Sequence, residues 1–210
     1  MKQLLHGMRR AALPLPLPLA ALAAPCAAFL LSAAALGGQF SPWALAAVAV
    51  AGTGWNGAAA GLGALLGALA FLDFQPGLRH GAAALLIFCA NTAFCTTRLY
   101  RRDWFRPAAA VLASALVQTA YLWQRGGRQW ALCAAALALL YGCTRLWPQK
   151  LGGPADTGRT GWFLLLLGVC ACLSRLSLYG FTPAMTAAAV LLLALGRAAR
   201  PADLICAGAL

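Results

Sequence analysis

Acidic side chains are almost missing from this chain. Glutamate does not occur, the acids are Asp73, Asp103, Asp156 and Asp203, and the histidines are His6 and His80. Paired carboxylates for acid–base chemistry or for a divalent metal would have to come from those aspartates, and all four lie at or beyond the ends of the apolar segments. No catalytic residue, cofactor or metal is therefore expected. Charge of either sign is also scarce: 10% of the residues are charged and 62% are hydrophobic. A soluble domain of 210 residues could not be covered with so few polar groups.

What is present is a series of nearly uncharged runs, about 16 to 26 residues each, where one helical crossing of a bilayer needs about 20. The runs are continuous rather than alternating, which excludes a membrane barrel, whose strands read apolar and polar in turn. An all-α, polytopic transmembrane bundle is expected. The net charge of +12 could suggest nucleic acid. Its arginines are instead divided among short loops between the runs, where they report orientation and contact with anionic lipid headgroups.

Residues 1–17 read as a basic, proline-rich cytoplasmic lead-in. Pro14, Pro16 and Pro18 alternate with leucines, so the first helix is predicted to start near Pro18, where a first-turn proline is tolerated, and to run to about Leu36. A secretory signal has similar ingredients, but Pro25 directly before Cys26 spoils a lipoprotein cleavage box, and a retained span is the reading adopted. The stretch 40–74 is too long for one helix and is broken at Gly52-Thr53-Gly54-Trp55-Asn56-Gly57. If it crosses twice, Arg98, Arg101, Arg102 and Arg106 form a cytoplasmic basic loop; if it crosses once they fall outside, against the positive-inside rule. Two crossings are therefore expected. Further spans are predicted over 79–97, 107–123, 129–147, 161–180 and 183–196, giving about eight crossings within 18–196 and a short basic tail over 197–210. Trp104, Trp123, Trp130, Trp147 and Trp162 fall at these boundaries, where an indole keeps its N–H near headgroups.

Gly52-x-Gly54-x-x-Gly57 matches a dinucleotide-binding fingerprint by letter, but it joins two apolar stretches and reads as a tight turn. Gly57, Gly61, Gly63 and Gly67 are spaced to let helix backbones approach, within one chain or between chains. The eight cysteines lie mostly within spans and read as small apolar packing residues; Cys170 and Cys172 point to different helix faces and have no histidine to complete a zinc site. Asn91 with Thr92 and Gln118 with Thr119 place amides and hydroxyls inside consecutive spans, and a hydrogen bond between those helices is expected, with a solute path as the alternative. Arg175 is the charge that falls within a span, close enough to its outer end to snorkel; binding an anionic solute or pairing with Asp73 is the sharper alternative.

Ser41-Pro42-Trp43-Ala44-Leu45-Ala46, the glycine-spaced run from Gly57 to Gly67, and Leu78-Arg79 leading to Ile87-Phe88 resemble the membrane-spanning N-terminal region of stage II sporulation protein E of spore-forming Firmicutes. The resemblance covers about half the chain, from Ser41 to Arg145. It implies a module of the bacterial plasma membrane that anchors and positions a cytoplasmic oligomerising region and metal-dependent serine/threonine phosphatase. It also implies self-association or contact with other septal membrane proteins. The chain departs from that family by ending at Leu210 without the phosphatase aspartates, so it is expected to be the membrane half of a longer product or a relative that kept only that half. A small-solute transporter or substrate-binding component is the alternative function. An integral membrane enzyme, with Asp103 among Arg101, Arg102 and Arg106 as its nearest cluster, ranks last.

Overall fold

A computed structural model of the chain describes residues 17–123, 126–147 and 166–173. Among them every regular element is a helix, apart from a single bridge between Leu36 and Phe40. The named helices are α1 (Leu17–Leu31), α2 (Pro42–Ala51), α3 (Gly54–Phe71), α4 (Phe74–Phe94), α5 (Phe105–Leu122) and α6 (Gly127–Arg145), and 166–173 is a further helical segment.

The helix α2 organises the bundle. It has 10 residues and is therefore about 15 Å long, half the ~30 Å core of a bilayer. Proline at its first position supplies the φ a first turn needs without a backbone N–H to satisfy. Gly52 ends it at φ 76, a conformation that side chains strain to adopt, and returns its N–H to the Val48 carbonyl. Gly54 repeats the left-handed value at φ 74 and opens α3. Residues Pro42 to Ala49 are all buried, because α1, α3, α4, α5 and α6 each pack on α2. The sequence break at Gly52 thus does divide 40–74 into two helices, but the first is too short to be the full crossing expected of it.

Small residues set the distances. At Gly63 and Gly67 a Cβ would run into the backbone of Pro25 and Phe29, and at Gly57 into the Gly52 carbonyl. The order of the first two contacts, Pro25 with Gly63 and Phe29 with Gly67, makes α1 and α3 parallel. Phe29 and Phe71 close that contact edge to face, with ring centroids 5.3 Å apart. Gly61 differs from its expected packing role: nothing lies within 4 Å of a Cβ placed there, since it is on the other side of α3 from α1.

Helix α1 also stops before the predicted Leu36. The chain turns at Ser32, whose hydroxyl donates to the carbonyls of Ala28 (2.9 Å) and Ala64 (3.2 Å). Gly37 and Gly38 carry the reversal at φ 58 and 71. Ser41 then donates its hydroxyl to the Leu31 carbonyl at 2.9 Å, which also accepts from the Ala34 N–H at 3.2 Å. The segment between α1 and α2 is consequently folded into the bundle, with Ser32, Ala33, Ala34, Phe40 and Ser41 buried. Helices α4 to α6 alternate in direction through short connections. The Gly52 turn lies against the Tyr100 hydroxyl, so it shares one end of the bundle with the loop between α4 and α5. By length and apolar composition, one helix among the described residues, Gly54–Phe71, could cross a membrane. The predicted span 161–180 is described only over 166–173; the span 183–196, residues 1–16 of the lead-in, the tail, Trp162 and Arg175 lie outside the described residues.

Candidate functional site

Polar side chains gather where α2 begins. His80, Ser41, Ser114 and Gln118 line a cavity of about 10 Å3, with Leu45 and Cys133 among its other walls. His80 Nε2 lies 2.8 Å from the Ser41 carbonyl oxygen. A carbonyl can only accept, so Nε2 carries the proton and donates. In the neutral ring Nδ1 is then an acceptor, and it is buried with no hydrogen-bond partner.

Beside this cavity a chain of polar contacts reaches outward. Arg79 donates through Nη1 to Gln118 Oε1 at 3.3 Å, and its guanidinium lies 3.6 Å from the centroid of the Tyr121 ring. Tyr121 donates its hydroxyl to Gln75 Oε1 at 2.9 Å. These contacts join the start of α4 to the end of α5 and fix the register of the pair. The arrangement can orient hydrogen bonds; it contains no carboxylate, and among the described residues there is no group of three metal-ligating side chains.

At the other end of α2, Asn91 donates Nδ2 to the Ala49 carbonyl at 3.3 Å, an acceptor that the helix end leaves open. His80, Ala84, Ile87 and Asn91 follow one another at intervals of three and four residues, all buried, so one stripe of α4 holds both ends of α2. Asn91 and Gln118 are therefore both interior but do not meet as expected: Asn91 is near the end of α4, while Gln118 is near the end of the antiparallel α5, at opposite ends of the bundle. Thr92 and Thr119 donate within their own helices, to Phe88 (2.9 Å) and Ala115 (2.8 Å).

The basic loop Arg98, Arg101, Arg102 and Arg106 stands at the same end as the Gly52 turn. Arg98, Arg101 and Arg102 are exposed, and the Arg106 guanidinium sits 4.7 Å from the Tyr100 ring centroid. Arg145, at the end of α6, belongs to this end; Asp73, Arg79 and Arg128 belong to the other. Trp104 and Trp123 flank α5 and are exposed. Cys133, Cys143 and Cys172 are buried, and the Cys172 thiol donates to the Leu30 carbonyl at 2.8 Å; Cys170, two residues earlier, is only half-buried.

The residue that sequence reasoning passed over is His80. Its partner is a backbone carbonyl 39 residues earlier, which no local pattern announces; the stripe of buried positions from 80 to 91 is the signal that could have singled it out. Comparison of the chain with protein-family models, with curated proteins and with solved structures returned no match.

Proposed function

We propose that this chain is a non-catalytic, polytopic module of the bacterial plasma membrane, with about eight crossings and a cytoplasmic N-terminus. It anchors and positions a cytoplasmic part, as the membrane region of the sporulation phosphatase that it resembles does, and offers its outer faces to a second copy or to other septal membrane proteins.

The observation that carries the membrane reading is inverted polarity. Leu85, Leu112 and Leu116 are 61%, 70% and 66% exposed, whereas His80, Asn91 and Gln118 are each 2% exposed or less. In water each such leucine would forfeit about 1.5–3 kcal/mol of burial, while lipid solvates it without loss. Polar groups inside and leucines outside is the order expected in a bilayer. Helix α3 adds to this: only 33% of its apolar window is buried, unlike the core helix of a water-soluble protein. Helices α4, α5 and α6 are 21, 18 and 19 residues long, and their lower mean hydropathy comes from interior groups such as His80, Asn91 and Gln118 and from arginines near their ends.

Arginine placement orients the module. The end with Arg98, Arg101, Arg102, Arg106 and Arg145 faces the cytoplasm and its anionic headgroups. Topology tags test this: a tag at Arg102 is expected inside and one at Gly126 outside, and a tag at Arg102 found outside overturns the orientation. A reading frame that continues past Leu210 into a phosphatase domain would tie the chain to the sporulation family, and continuation into an unrelated domain would cut the tie.

A small-solute transporter or substrate-binding membrane component is the second reading, favoured by the half-length α2 starting inside the bundle beside polar groups. The cavity there, about 10 Å3, is far below the ~300 Å3 of ordinary ligand pockets. Anchoring is the better supported of the two.

A further inference from the structure

We propose that the cavity at the start of α2 is a built site for one neutral, water-sized hydrogen-bond donor, and that its resident is a single water molecule held by His80 Nδ1. Two independent features meet there. The first is the start of a 10-residue helix turned into the bundle rather than toward solvent. The second is an imidazole nitrogen, on a side chain 2% exposed, that has no partner.

The ligand class follows by exclusion. The positive end of α2 and the Arg79 guanidinium on Gln118 oppose a cation. The Nδ1 lone pair opposes an anion, because Nε2–H is committed to the Ser41 carbonyl. What remains is a neutral molecule that gives a proton to Nδ1 and takes or gives others at Ser114 and Gln118, both of which line the space. The volume, about 10 Å3, holds one such molecule of the size of water. An unmade hydrogen bond at a buried nitrogen is costly, and a bridging water removes that cost. Toward Asn91 the stripe continues through the apolar, buried Ala84 and Ile87.

The test is made on the full chain in phosphatidylglycerol–phosphatidylethanolamine nanodiscs, labelled with 15N-histidine and 13C-methyl alanine, and with His6→Gln to leave one histidine signal. Magnetisation transferred from water is expected to reach the His80 ring and the Ala136 methyl, which also lines the cavity. Xenon is expected to give no saturable shift at Ala136. No water transfer to the His80 ring, or saturable xenon binding at Ala136, overturns the proposal: the first means that the nitrogen is dry, the second that the space is larger and apolar. In His80→Phe, with its fold checked by the amide spectrum, the water contact to Ala136 is expected to vanish; its persistence in a folded variant also overturns the assignment to Nδ1.

Discussion

One methyl group placed at two positions of α3 separates the packed face from the outer one. At Gly63 a Cβ would overlap the carbonyl oxygen, Cα and carbonyl carbon of Pro25. All three are backbone, so no side chain can rotate away and α1 itself must move. Overpacking of this kind costs about 1–3 kcal/mol, and a backbone obstacle puts the cost in the upper half of that range. Alanine returns up to about 1 kcal/mol of helix propensity, which leaves Gly63→Ala about 1–2 kcal/mol less stable. Gly61→Ala meets nothing within 4 Å and keeps the propensity gain. The two variants should therefore differ by about 2–3 kcal/mol although they are two residues apart. Reversible unfolding in mixed micelles, titrated with SDS and followed by circular dichroism, reads the difference. Equal stability of Gly63→Ala and Gly61→Ala would refute the close parallel contact of α1 with α3.

Asn91→Ala removes the donor to the Ala49 carbonyl and should lower stability in the same titration by about 0.6 kcal/mol, the average for interhelical bonds in membranes. A variant as stable as the parent would mean that the end of α2 is held otherwise. Gly52→Ala should be more damaging than Gly54→Ala: both positions have positive φ, with a strain of about 1–2 kcal/mol, but only at Gly52 does the new methyl also meet the Tyr100 hydroxyl, 3.1 Å away. Equal losses would remove Tyr100 from that turn. Replacing Arg98, Arg101, Arg102 and Arg106 together by glutamine should raise the fraction of molecules whose Arg102 loop is tagged from outside, and an unchanged topology would show that these arginines do not orient the module.

The helices that sequence placed best are those bracketed by polar and aromatic residues on both sides. For α5, observed over Phe105–Leu122 and predicted over 107–123, Arg106 and Trp123 mark the limits, and α6 is bounded similarly by Arg128 and Trp147. Helix α4 begins at Phe74, five residues before the predicted 79, because Pro76 sits in the first turn, where no i−4 carbonyl loses a bond. Helix α1 ends five residues before the predicted Leu36 although Ala33 to Leu36 are as apolar as a helix: its backbone bonds tighten from i−4 to i−3 over Ser32 to Ala34, and the Ser32 hydroxyl there reaches the Ala64 carbonyl. Pattern cannot show such a long-range bond. The same holds for the site: Asn91 and Gln118 were picked out as amides in an apolar setting, but their partners, a carbonyl of α2 and Arg79, depend on helix direction and on the half-length of α2. Gly63 and Gly67 meet the α1 backbone, where only glycine allows such an approach; Gly57 meets instead the Gly52 carbonyl of the adjoining turn, and Gly61 belongs to the spacing without belonging to the contact.

The measurement closest to the central claim is maleimide labelling of single-cysteine variants in intact membranes. Cys89 and Cys95 are both exposed, Cys89 on the side of α4 and Cys95 just past its last turn, close to Arg98. If lipid is what covers the outer faces, a charged, water-soluble maleimide applied to inverted vesicles modifies Cys95 and leaves Cys89 untouched until SDS is added. Modification of Cys89 in intact membranes at the rate of Cys95 would mean that water covers that face, and would contradict the account.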